Sequence, residues 1–277
     1  MNELGTFLRA RRGGLTPREV GLVDTAGPRR VSGLRREEVA RLASISTDYY
    51  TRLEQGRIRA SAPVLTALAD ALQLDGDERA YLFSLAEKHP APVPRRGTQK
   101  VQPQLRRVLD DLTTIPAIVM GRRMDILGWN RLAAAMMVDY SQIPAAERNY
   151  IRLLFTHPSM LSLYEDWDAV AVTAVSQLRM EAARYPDDPK LAKLVGELSM
   201  QNPKFSTWWA ARSVATLSTG RKTLIHPEVG ELVLDWDTLI KADDAEQQLV
   251  VWTAEPGTPS HDAMLRLVKI ADKLTVD

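Results

Sequence analysis

The sequence predicts an α+β protein: an all-helical N-terminal bundle, then a region that mixes helices with a small antiparallel sheet. Three observations carry this. Apolar residues recur at helical spacing throughout residues 2–86. A proline-rich stretch from His89 to Pro103, holding Pro90, Pro92, Pro94, Gly97 and Pro103, separates two regions of different composition. Beyond it, Lys222–His226, Glu231–Trp236 and Gln248–Thr253 read as antiparallel strands, with Pro227-Glu228-Val229-Gly230 as the first turn.

The elements follow in order. Leu4, Phe7, Leu8 and Leu15 give an apolar stripe, with a first helix over residues 2–12. Val39, Ala40 and Leu42 mark a short helix at 36–43, and Tyr50 and Leu53 another at 47–55, stopped by Gly56. Val64, Leu65, Leu68, Ala69 and Leu72 mark a fourth, with Pro63 near its start. Tyr81, Leu82, Leu85 and Ala86 mark a fifth, with Asp75, Asp77 and Glu78 at its positive dipole end. In the second region, Ala117–Met120 and Asp125–Trp129 read as two short strands, residues 130–215 as mainly helical, and residues 260–273 as a final helix. The expected domains are 1–88 and 105–277, joined by a linker over 89–104.

Composition bounds the function. The chain has 277 residues, 45% apolar and 26% charged, enough for one large or two ordinary globular domains. The absence of cysteine removes a disulfide framework, a thiolate metal site and a cysteine nucleophile. No stretch is long and apolar enough to span a membrane, and Met1–Arg12 is amphipathic rather than a signal peptide, so the expectation is a cytoplasmic protein. The net charge of +1 hides an asymmetry: residues 1–60 hold 12 arginines, no lysine and 7 carboxylates, whereas residues 101–277 hold 19 basic and 23 acidic groups. A basic end on an acidic body points to an anionic partner at that end, nucleic acid above all.

Gly33 to Gly56 carries the sharpest signal. A short helix ends at Ala43, three residues follow, and a second helix opens on Ser46 as N-cap; Val39, Ile45, Tyr50 and Leu53 supply a shared core, and small Ala40 lets the helices approach. This is helix-turn-helix spacing. The second helix exposes Thr47, Asp48, Thr51 and Arg52, short hydrogen-bonding groups and a guanidinium suited to base edges. Arg57 and Arg59 follow where phosphates would run. Arg35 and Arg36 stand at the positive end of the preceding helix, a placement that costs about 0.3–1 kcal/mol unless an anion such as phosphate arrives there. The expected DNA contacts are therefore Arg35, Arg36, Ser46, Thr47, Asp48, Thr51, Arg52, Arg57 and Arg59. Glu54, on the same helix, would repel phosphate and is expected to pair with Arg9, Arg11 or Arg12 instead.

Residues 34–56 resemble the Cro/C1-type (XRE) helix-turn-helix pattern. The resemblance extends to the MmyB-like transcription regulators through Leu4–Arg12, Gly33–Ala40, Tyr49–Arg57, Trp129-Asn130, Leu194–Leu198, His226–Leu232 and Ala254–Gly257. It covers nearly the whole chain and implies a DNA-binding domain fused to a PAS-like ligand-binding domain, in which helices cover one face of a small antiparallel sheet and leave a cavity. His157, Leu161 and Arg212 depart from the family pattern, where Asp, Arg and His are usual.

All six tryptophans lie beyond residue 128, and every methionine but the first beyond residue 119. Candidate cavity residues are Trp129, Met136, Met137, Phe155, Trp167, Trp208, Trp209 and Trp252; at helical spacing each also suits an ordinary core. The expected ligand is a small hydrophobic molecule such as an acyl chain or a secondary metabolite. No catalytic residue, cofactor or metal site is expected. His89, His157, His226 and His261 lack partners at metal-ligand spacing, and Glu165, Asp166 and Asp168 fit a helix start better than an acid/base site. Two functions fit: a ligand-responsive regulator that binds a double-stranded DNA operator as a homodimer, or a helix-turn-helix protein whose C-terminal domain is a protein- or peptide-interaction module.

Overall fold

The computed structural model describes residues 3–22, 33–86, 99–185, 187–211, 219–241 and 244–273. Most of the proline-rich segment, together with Arg29, Arg30 and Arg212, lies outside the described residues.

Five helices form the N-terminal bundle: α1 (Glu3–Gly14), α2 (Arg36–Leu42), α3 (Thr47–Glu54), α4 (Ala62–Ala71) and α5 (Gly76–Ala86). Their apolar faces meet in one cluster built on Phe7, Leu8, Leu34, Val39, Tyr50 and Leu53, with Leu68 and Leu82 from the later helices. Phe7 of α1 sets its ring edge-on to Tyr81 of α5 at 5.0 Å. Gly33 lies against the end of α1. A Cβ there would fall 2.6 Å from the Gly13 carbonyl oxygen, so only glycine lets the chain pass. The crossing is fixed by Leu34 N–H donating to Arg12 O at 3.0 Å and by Arg12 Nη1 donating to Leu34 O at 2.6 Å.

The turn between α2 and α3 is set by local chemistry. Ser44 adopts φ 55 and Ile45 N–H bonds back to Ala40 O at 2.9 Å, closing α2. Ser46 Oγ then accepts from Tyr49 N–H at 3.1 Å and opens α3. Gly56, at φ 74, ends α3 and lets Arg57 N–H reach Arg52 O at 2.8 Å.

Glu54, at the end of α3, has no solvent exposure. Arg12 Nη2 of α1 donates to its Oε1 at 2.9 Å, Arg36 Nε of α2 donates to its Oε2, and Arg9 Nε lies 3.6 Å away. Arg11, the third candidate partner, pairs with Glu78 of α5 instead. Burial works against the charge of Glu54, but the bonds to Arg36 and Arg12 outweigh it and hold the carboxyl below the ordinary glutamate range.

The C-terminal body is a five-stranded antiparallel sheet in the order β2-β1-β5-β4-β3. Its strands are β1 (Ala117–Met120), β2 (Ile126–Trp129), β3 (Thr219–His226), β4 (Gly230–Lys241) and β5 (Asp244–Thr253). The hairpin strands run beyond the segments expected from sequence. One face of the sheet is met by α6 (Pro103–Asp111), whose Leu109 packs on Ala117, Val119 and Leu249. The sequence reading had no helix here; α6 begins within the stretch read as linker. The other face carries the main core, packed against α7 (Arg131–Met136), α8 (Tyr150–Thr156), α9 (Pro158–Leu163), α10 (Trp167–Arg184), α11 (Pro189–Gln201) and α12 (Pro203–Ala211), with α13 (Pro259–Lys273) packed on β4 and α7.

Two buried amides tie this body together. Asn130 Oδ1 accepts from Ala117 N–H and Ala133 N–H, while its Nδ2 donates to Leu112 O and Ile115 O, so the cap of α7 also fixes the start of β1. Asn149 Nδ2 donates to Arg123 O at 2.7 Å, and its Oδ1 caps α8 at Arg152 N–H. The β1–β2 turn that Asn149 holds is strained, with Arg123 at φ 59 and Met124 at φ 63.

The apolar face of α5 is used within the chain. Tyr81 and Leu82 are buried in the bundle, and α5 packs on α10, whose Met180 and Ala183 join the bundle cluster. Arg11 Nη2 also donates to Ala211 O at the end of α12, at 3.2 Å.

The Glu54 cluster predicts a stability loss. Glu54→Ala strands the largely buried guanidinium of Arg12 and should cost about 3–5 kcal/mol in urea unfolding. Asp70→Ala, which breaks the exposed pair with Arg79, should cost about 1 kcal/mol or less. The pH dependence has a fixed sign. The folded value of Glu54 is depressed, so its stabilisation is present above an unfolded glutamate value of about 4.3 and is lost as pH falls through the folded value.

Candidate nucleic-acid interface and ligand cavity

The outward face of α3 carries the residues read as base contacts. Thr47, Asp48 and Arg52 are exposed and Thr51 is half-buried, its Oγ1 donating to Thr47 O at 2.7 Å. Arg52 Nη1 lies 3.8 Å from Asp48 Oδ2 one turn earlier, an exposed pair that a base edge can displace at little cost. Arg57 and Arg59 follow on the surface with no carboxylate partner among the described residues, and Tyr49 Oη donates to Arg59 O at 3.2 Å. These six side chains form one contiguous stretch of chain with unspent hydrogen-bonding capacity.

The remaining three are already engaged. Ser46 Oγ is taken up as the cap of α3. Arg35 Nη1 lies 3.5 Å from Glu37, and its backbone N–H bonds to Glu38 at 2.6 Å. Arg36 is committed through Nε to Glu54, with 40% of its side chain still exposed. The start of α2 lies over the end of α3, so this arginine, expected on a phosphate, is first an arm of the internal cluster.

The second site is a cavity of about 200 Å³ between α10 and the inner face of the sheet. The sheet supplies alternate residues of the paired strands: Trp236 stands opposite Trp252, Thr238 opposite Val250, and Ile240 opposite Gln248. The helix supplies Gln177, Met180, Glu181 and Arg184. The strained β1–β2 turn closes one end with Arg123 and Met124.

Polar groups sit at both ends of an apolar middle. Lys222 Nζ lies 4.7 Å from the Trp236 ring and 5.8 Å from the Tyr164 ring, with no carboxylate partner among the described residues. Tyr150 on the wall shares a 3.1 Å hydroxyl contact with Tyr164 behind it, and burial together with Tyr150 pushes the Tyr164 phenol well up. At the other end, burial raises Glu181 against the opposing pull of Arg184, Arg122 and Arg123. Arg123 is held by Asp188 at 2.7 Å and by Asp125.

Of the eight residues expected from sequence to line the cavity, the structure brings only Trp252 to its wall. Trp129 packs on Tyr140 at 5.3 Å beneath the Arg148 guanidinium. Met136 and Met137 are core residues, Met137 Sδ accepting from Tyr140 Oη. Phe155, Trp167, Trp208 and Trp209 gather with Phe205 into an aromatic cluster that fastens α12 to α8 and α10. Trp167 Nε1 donates to Leu154 O at 2.9 Å. The residues missed were Trp236, Val250, Met180 and Lys222. For Trp236, Val250 and Lys222 the signal was the two-residue period of the hairpin strands, which puts Trp236, Thr238 and Ile240 on one face; Met180, on α10, carried no such signal.

Two of the family departures, His157 and Leu161, lie away from the cavity wall. Leu161 is exposed on α9, and His157 joins α8 to α9. His226 is a structural residue. Its Nε2 lies 3.0 Å from Ala135 O of α7 and its Nδ1 accepts from Glu228 N–H at 3.2 Å, so one ring nitrogen shapes the β3–β4 turn and the other ties it to α7.

Two family models match the chain. A helix-turn-helix domain matches residues 3–82, and the MmyB-like transcription regulator ligand binding domain matches residues 101–268, more than half of the sequence. The chain belongs to the MmyB-like transcription regulators. Comparison with curated proteins gave no match. As in that family, a helix-turn-helix domain is joined to a ligand-binding domain, the composition of a ligand-regulated transcription regulator, and neither matched domain is that of an enzyme. Among the described residues no helix is long and apolar enough to cross a membrane.

The aromatic cluster and the cavity predict different mutant behaviour. Phe155→Ala, deep in the cluster, should destabilise the C-terminal body by about 3–5 kcal/mol in denaturant unfolding. Val250→Thr, at the cavity wall, replaces a methyl that faces empty space on one side and should cost clearly less.

Proposed function

We propose that the chain binds a DNA operator through α3 and that a small amphipathic ligand in the cavity sets that affinity. The observation that carries the DNA half is the run of exposed groups Thr47, Asp48 and Arg52 on α3, held to each other only by the loose Arg52–Asp48 pair, continued by Arg57 and Arg59. Arg52 takes the base edge, with guanine its natural bidentate partner, and Arg57 and Arg59 take phosphates. An eight-residue helix contacts too few base pairs for tight specific binding, so two copies read a pseudo-palindrome. For the ligand, Met120, Met180, Val250 and Trp252 favour an apolar body, and Lys222 favours an acidic or hydrogen-bond-accepting end.

Selection of DNA sequences by the full chain tests the reading face. Arg52→Ala should lose about 1–3 kcal/mol of discrimination at one or two operator positions. Arg57→Ala should weaken all sequences alike and lower the salt slope by about one unit. Selection of the same operator by Arg52→Ala, with undiminished preference, would remove α3 as the reader.

Light scattering and mass spectrometry test the rest. The DNA complex should hold two chains per operator. A denatured extract of the purified protein should release a small amphipathic molecule that Val250→Trp, which fills the cavity, no longer retains. A monomeric complex, or equal retention by Val250→Trp, would contradict the respective part.

A further inference from the structure

One residue of α10 belongs to two sites. Met180 lines the cavity and also packs against the buried cluster of the N-terminal bundle, together with Ala183. On the cavity side it faces unfilled space; on the other it meets packed side chains. A methionine in that position is free to lean one way or the other, because its thioether chain is flexible and makes few directional demands. The packed cluster has no such freedom, since interiors at crystal-like density do not deform continuously.

We propose that Met180 is the joint through which filling of the cavity changes the seating of the DNA-binding bundle on α10. This rests on the reading of the cavity as a ligand site. The route onward is continuous. α10 packs on α5, and Tyr81 of α5 holds the Phe7 ring of α1. α1 carries Arg12, and Arg12 grips Glu54 at the end of the reading helix. A second tie runs beside it. Arg179 of α10 donates to Trp209 O and lies 3.9 Å over the Trp209 ring, so α10 and α12 move together, and Ala211 at the end of α12 accepts from Arg11 of the bundle. A ligand shifts this equilibrium only by the difference in its fit to the two positions of Met180. A filled cavity removes the inward position, presses Met180 toward α5 and loosens the docked face of the bundle.

Amide hydrogen exchange on the full chain tests this without DNA and without a ligand. Val250→Phe and, as a second variant, Thr238→Phe fill the cavity from the sheet side, where neither residue touches the bundle. Each should speed exchange in residues 76–86 by about three-fold or more. In a Met180→Ala background the shortened side chain absorbs the added volume, and the effect on 76–86 should vanish. Unchanged exchange in 76–86 in both filling variants would overturn the proposal. An effect of the same size in the Met180→Ala background would overturn the role of Met180. A failure of the DNA-reading assignment would appear in the sequence selection and leave these exchange rates as they are.

Discussion

A carboxylate sealed from solvent holds α3 of the helix-turn-helix in place. α3 has eight residues, too few to be stable alone, and it projects its outward face usefully only if its inward face is fixed. Tyr50 and Leu53 bury two turns of it, but apolar contact alone tolerates sliding. Glu54 adds direction: guanidinium groups from α1 and α2 converge on its two oxygens, so the ends of three helices are pinned to one point. A buried charge is retained at a cost in desolvation, and here several arginines offset it.

The same cluster divides the arginines of the N-terminal region. Arg9, Arg12 and Arg36 are turned onto Glu54, and Arg11 is turned onto Glu78. Arg52, Arg57 and Arg59 are left at the surface around α3. The charge excess of residues 1–60 therefore overstates the charge available to an anionic partner, because part of it is structural. In the C-terminal body a comparable economy concerns α10. One of its faces closes the cavity and another receives α5, so the wall of the cavity and the dock of the bundle are the same helix.

The helix-turn-helix was legible because its punctuation is local. Ser46 caps, Gly56 terminates, and Val39, Tyr50 and Leu53 share one buried face; each depends on neighbours in sequence. The sheet was legible in kind, but β4 and β5 extend past the expected ends, where outer residues such as Asp237 and Glu246 give no apolar signal. α6 went unread beside the prolines, although Leu105, Leu109 and Leu112 give it an apolar stripe. The cavity wall was mostly illegible. Trp and Met enrich cores and pockets alike, so Trp167 and Trp208 could not be told from Trp252 by type, and only the sheet register separates them. Met180 could not be found at all from the sequence, since its importance comes from two contacts made by different ends of the chain.

The placement of α3 depends on Glu54 being charged, buried and held by arginines from two other helices. A carbon-13 titration of the Glu54 side-chain carboxyl in the intact chain measures this directly. The structure predicts a midpoint below the ordinary glutamate value of about 4.3 and a loss of α3 amide protection when the group protonates. A midpoint at or above that value would mean that burial outweighs the guanidinium groups, and it would contradict the anchoring of α3 by Glu54.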